Sequence, residues 1–198
     1  MHYYRLLEDV PGDTASLFQR SHAGVETKTG RRLVDYEACD AGAPFRGPLV
    51  CELDRDSPDA HWPTLFCSPA LIATRGFLDD LQALGIDNLE VHPVRIEGDD
   101  LSQPDESYVL LNILGRVSCA DLANSDVARI DEGGDADEIH PMRIIDRLVL
   151  DPARIGVLDM FLVDEDTDCI IVSERVARHL QAKGHPDIRF ERLAQRSR

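Results

Sequence analysis

The chain has 198 residues, 43% of them hydrophobic, and a formal net charge of −16 from 37 acidic and 21 basic residues. That length and apolar content suit one ordinary domain or two small ones and exclude a disordered, collagen-like or coiled-coil chain. The charge argues against nucleic acid and anionic membranes as partners and favours basic proteins, which such a surface attracts by long-range steering.

Residues 3–9, "YYRLLED", are predicted as a first strand. About fifty residues follow that are rich in turn formers, among them Pro11-Gly12, Gly42, Pro44 and Gly47-Pro48. They predict irregular backbone with short strands near 32–36 and 49–53, pinned by Phe18, Tyr36, Phe45 and Trp62. From Leu65 the pattern sharpens. After a short strand, Ser68 is expected as a helix N-cap with Pro69 at the first helical position. Leu71, Ile72, Phe77, Leu78, Leu81 and Leu84 would share one face of that helix, and Gly85 would stop it. A strand is expected over 89–96 from its alternation.

Residues 97–106, "EGDDLSQPDE", form an acidic loop before the strongly apolar strand "SYVLLNIL". "ADLANSD" suggests one helical turn. A second acidic loop, "DEGGDADE" at 131–138, precedes a strand near 143–150. "DPARIG" turns the chain, "VLDMFLVD" is another strand, and "DEDTD" at 164–168 is a hairpin turn into 169–172. Ser173 and Glu174 then open a second helix, with Val176, Ala177 and Leu180 on one face and Gly184 as its stop. "DIRFERL" is the last strand, and Val172, Val176, Leu180, Ile188 and Phe190 are expected to face the core. The expected class is α+β, with a mixed or largely antiparallel sheet, two main helices and an irregular N-terminal region. Residues 1–64 would pack on an α+β domain at 65–193 as one structural unit, with a frayed tail at 194–198. Residues 81–91 and 180–190 align without gaps, each a helix end, a glycine and a returning strand.

No pattern carries catalysis. The five cysteines, Cys39, Cys51, Cys67, Cys119 and Cys169, are widely spaced, and most lie in or beside apolar runs, as buried small hydrophobes do. The seven histidines are scattered and give no metal spacing. The 131–142 stretch has the acid density of a calcium loop, but Ala136 and Met142 stand where glycine and a carboxylate are required. "IVSER" lacks the glycines of a nucleophile elbow, so Ser173 is read as a helix cap. No cofactor or metal is expected, and no enzymatic activity. The start "MHYYRLLEDV" has none of the features of a signal peptide, and the longest apolar runs are too short to span a bilayer, so the expected location is the cytoplasm.

The C-terminal half resembles the bacterial polymorphic-toxin immunity protein family sometimes called immunity protein eleven, formerly a domain of unknown function. The matching segments are "SYVLLNILGRVSCAD", "LVLDPARIG", "DMFLV" and "CIIVSERVARHLQAKGHPDIRFERL". "GAPFRGPL" and "LFCSPALIATRGFLDDL" match more loosely. The resemblance implies a cytoplasmic inhibitor encoded beside a secreted toxin, in many cases a nuclease, which it blocks at the active site or substrate groove. The net charge suits that partner, since a nuclease holds phosphate with Lys and Arg. The acidic loops supply the expected toxin contacts: Glu97, Asp99 and Asp100; Asp131, Glu132, Asp135, Asp137 and Glu138; Asp164, Glu165 and Asp166. The alternatives are an immunity protein acting away from the toxin active site and a hydrolase using clustered carboxylates. From Ile170 onward seven basic residues meet three acidic, a net of +4, so the preceding chain carries −20.

Overall fold

The computed structural model describes residues 1–9, 14–21, 48–54, 59–67, 71–99, 101–129 and 143–196. The expected strand near 32–36, the Ser68–Pro69 helix start, Asp100 and the 131–138 loop lie outside the described residues. In chain order the first elements are β1 (Tyr3–Glu8), β2 (Ser16–Ser21), β3 (Leu49–Asp54), β4 (Leu65–Phe66), β5 (Ile72–Thr74) and α1 (Arg75–Ala83). Then come β6 (Leu89–Glu97), β7 (Tyr108–Ile113), β8 (Arg116–Val117), β9 (Asp126–Arg129), β10 (Arg143–Arg147) and β11 (Val149–Leu150). A 3-10 turn at Pro152–Arg154 precedes β12 (Met160–Val163), β13 (Asp166–Ser173), α2 (Glu174–Lys183), β14 (Ile188–Arg192) and β15 (Ala194–Gln195). Two helices among mixed and antiparallel sheets make the class α+β, as expected.

The chain divides into two compact units, one of Met1–Leu6, Gly115–Ala177 and Phe190–Arg198, the other of Leu7–Leu114 and Arg178–Arg189. The second holds a six-stranded sheet in the order β2-β3-β6-β7-β5-β4. All six residues of β7 are buried, the polar Asn112 included, and β5 and β6 flank it antiparallel. One face of the sheet carries a core of Leu17, Leu49, Cys51, Phe66, Ile72, Val94, Ile96, Tyr108 and Leu110, with Trp62 and Leu101 packed against it. Helix α1 buries Phe77, Leu78 and Leu81, each worth about 1.5–3 kcal/mol on full burial.

That helix begins later than the apolar spacing predicts. Thr74 is its N-cap, its side chain accepting from the Phe77 amide, because Ile72 and Ala73 are taken up as strand partners of Leu110 and Val109. A short apolar run fits a helix face and a buried strand equally well, and here pairing with β7 decides it.

In the first unit the sheet order is β14-β1-β13-β12-β8. β12 and β13 form the expected hairpin, with Asp164 and Glu165 at its turn. Its core gathers Tyr3, Cys119, Ile145, Leu150, Phe161, Val163, Cys169 and Ile171. The rings of Tyr3 and Phe161 meet edge-on at 5.9 Å. β9 and β10 pair as an antiparallel ribbon, and β11 pairs parallel with β15. Residues 122–124 form a single turn leading into β9, with the Asn124 amide donating to the Asp121 carbonyl at 3.0 Å. Val172, Val176, Leu180 and Ile188 are buried as expected, and Phe190 is half-buried.

Both sheets contain the same arrangement, in which a helix joins two strands lying on either side of a third. Helix α1 connects β5 and β6 around β7, and α2 connects β13 and β14 around β1. The two aligned segments place their glycines alike, Gly85 at φ 77° and Gly184 at φ 78°, where a side chain would be strained.

Candidate functional site

An acidic surface lies in the second unit, where β3 and β6 end beside the connection from β6 to β7. β3 and β6 run parallel, with Cys51 opposite Ile96 and Glu52 opposite Glu97. Side chains alternate across a strand, so Cys51, Leu53, Val94 and Ile96 fill the core while Glu52, Arg95 and Glu97 occupy the opposite face. Two carboxylates in register repel each other unless neighbouring groups compensate them. Arg95 offsets part of this, its Nε 3.0 Å from Glu97 Oε1.

The described residues of the connection are tied together by hydrogen bonds. Ile96 and Asp105 exchange two backbone hydrogen bonds of 2.9 Å, and the Leu101 amide donates to the Gly98 carbonyl at 3.1 Å. Leu101 packs on the core and holds the turn down. Asp105 Oδ1 accepts from the Ser107 amide at 2.7 Å and from its hydroxyl at 2.6 Å. Asp54, Asp99 and Glu106 are exposed. Arg75 donates to the Glu106 carbonyl at 3.4 Å, leaving that side chain's own charge uncompensated by this contact.

The structure thus adds Glu52, Asp54 and Glu106, which the sequence reading did not select, to Glu97 and Asp99, whereas Asp105, paired with Ile96, lies toward the core side. The alternation in "LVCELD" was enough to set Glu52 on the face away from the core. Its register with Glu97 depends on a long-range strand pairing.

The other expected contacts divide. Asp164 is exposed at the β12–β13 turn. Glu165 accepts from the Ser118 hydroxyl at 2.7 Å and meets the Ala120 amide at 3.4 Å. Asp166 is only 5% exposed and accepts from the Ile145 amide at 3.1 Å. The last two carboxylates therefore brace the hairpin from within. Asp100, Asp131, Glu132, Asp135, Asp137 and Glu138 lie outside the described residues.

Titratable groups elsewhere are engaged in holding the fold. Ser173 is buried, and its hydroxyl donates to Asp159, whose other oxygen pairs with Arg175 at 2.5 Å. Burial opposes the charge on Asp159, but Arg175 and Ser173 outweigh it and keep its pKa below the usual carboxylate value. Burial pushes the thiols of Cys51, Cys119 and Cys169 up to about 12, so they stay protonated as core side chains. Among the described residues no group of three or more His, Cys, Asp or Glu is placed to hold a metal ion, and no helix is long and apolar enough to cross a membrane.

No curated protein matches the chain. A family model does, over residues 25–195, and its description is Immunity protein family (Imm11). That match takes in most of the chain, including β3, β6, β7 and the β12–β13 hairpin. The chain therefore belongs to the Imm11 immunity protein family.

Proposed function

We propose that this protein acts in the cytoplasm, binding and neutralising a cognate secreted antibacterial toxin, and that the toxin is a nuclease whose active site or substrate groove it covers. The partner would be encoded by an adjacent gene. Inhibition is by occupancy, without turnover. The observation that carries this reading is the pairing of Glu52 with Glu97 on the surface that also exposes Asp54, Asp99 and Glu106. Carboxylates gathered in this way suit a protein competing with nucleic acid for a basic groove, which gains both steering and specificity from them.

Asp164 and the acidic residues at 100 and 131–138 belong to the proposed contact set, with Glu165 and Asp166 supporting the hairpin behind Asp164. The test is co-expression with the product of each neighbouring gene, followed by pull-down and growth rescue. A toxic, basic neighbour that is captured and neutralised, with affinity falling steeply as salt rises, supports the proposal. Rescue with affinity indifferent to salt moves the contact away from the acidic surface. If neither neighbour is toxic or captured, the proposal fails.

A further inference from the structure

Within the second unit, the edge strand β4 is held at both ends by carboxylates. It contributes only Leu65 and Phe66, which pair with Ala73 and Ile72 of β5, and two register partners are a weak hold for a strand at the rim of a sheet. Immediately before it, Thr64 donates to Asp187 through its amide and, at 2.7 Å, through its hydroxyl. His61 Nε2 lies 3.3 Å from the same carboxylate. Immediately after it, the Cys67 amide donates to Glu8. The Asp187 carbonyl accepts from the Asp9 amide at 2.8 Å, which ties the two carboxylate-bearing segments together.

We infer that Glu8 and Asp187 form a proton-dependent clamp on β4, gripping hardest when Asp187 is ionised and Glu8 carries a proton. The groups facing the clamp are His61 and Cys67 beside β4 and Tyr108 of β7, whose hydroxyl donates to the Pro63 carbonyl at 2.7 Å. Burial, with Asp105 and Asp187 nearby, raises the Tyr108 pKa, so the phenol stays neutral throughout.

The two carboxyls respond in opposite directions. Burial, aided by the charge of Asp187, raises Glu8 against the pull of its Cys67 hydrogen bonds. Its contribution is full below the ordinary glutamate value and is lost as pH rises through the raised one. Burial also opposes the charge on Asp187, but Thr64 and His61 outweigh it and lower its pKa. Its contribution is present above the ordinary aspartate value and is lost as pH falls through the lowered one. Between those limits both ends of β4 are held, and at higher pH two adjacent anions face one another.

Trp62, the one tryptophan in the chain, reports on this clamp. It sits between His61 and Thr64, against the core and 6.0 Å from the Tyr108 ring. Acrylamide quenching of its emission is to be followed upward from the ordinary glutamate value, about pH 4, in the full chain, with far-UV circular dichroism confirming that the fold persists. The quenching constant of the wild type is expected to rise about two-fold with pH, as local opening grows. Glu8→Gln, which keeps an acceptor but cannot ionise, is expected to stay low and flat, and Asp187→Asn to be high throughout. A flat wild-type profile, or a Glu8→Gln profile that rises like the wild type, overturns the clamp. The wild-type and Glu8→Gln profiles decide the matter even if Asp187→Asn does not fold.

Discussion

Glu52 of β3 and Glu97 of β6 stand side by side as register partners in a parallel strand pair, with Arg95 3.0 Å from the Glu97 carboxylate. Replacing Glu52 by Gln removes one of the two charges while keeping the shape. Stability to urea is expected to change by less than about 0.5 kcal/mol. Affinity for the cognate toxin is expected to fall about ten-fold at low salt, with a shallower salt dependence. Titration calorimetry at two ionic strengths checks both; unchanged affinity at both would remove Glu52 from the interface.

The β12–β13 turn separates binding from bracing. Asp166→Ala leaves the buried Ile145 amide without its acceptor, and a loss of about 1–3 kcal/mol is expected in the unfolding free energy. Asp164→Ala, at an exposed position, is expected to stay within about 0.5 kcal/mol of the wild type. Urea denaturation of the two variants side by side measures the difference.

Asp159 gives the first unit a defined response to acid. Its pKa is lowered because Arg175 and Ser173 outweigh burial. The stability it adds is therefore present above the ordinary aspartate value and lost as pH falls through the lowered one. Asp159→Asn should show a weaker loss of stability than the wild type across that acid range, and a lower stability at neutral pH. Denaturant midpoints measured in steps from neutral to acid pH distinguish the two.

Gly184→Ala and Gly85→Ala are expected to cost about 1 kcal/mol each, since both residues hold a positive φ that alanine resists. Nothing lies within 4 Å of a Cβ built at either glycine, so the cost is conformational rather than steric crowding. Similar losses from the two thermal or urea midpoints would show that the two helix stops are energetically equivalent.

Much of the fold was legible because local pattern and tertiary structure agree. β7 is apolar at five of its six positions, Asn112 being the exception, and is buried along its whole length. Both helix stops were visible as glycines, and the β12–β13 turn as an acidic interval between apolar strands. The start of α1 was missed because Leu71 and Ile72 fit a helical face, while pairing with β7 draws Ile72 into a strand. Ser173 looked like a cap from its position. Its hydroxyl donates to Asp159, fourteen positions earlier, which no local pattern predicts. The acidic surface was half legible: the run at 97–106 stands out in sequence, but Glu52 joins it only through a strand pairing across 45 positions.

The pairing of Tyr3 with Ser173 joins residues about 170 positions apart, and β1 lies between β13 and β14 in its sheet. Such a sheet has a high contact order and cannot close until β13 and β14 have been made. During synthesis the central position of that sheet stays vacant until β13 leaves the ribosome. Folding of this sheet would therefore follow the emergence of β13 and β14 rather than accumulate along the chain, so a stock of already folded protein, rather than its rate of synthesis, would set any protection it gives.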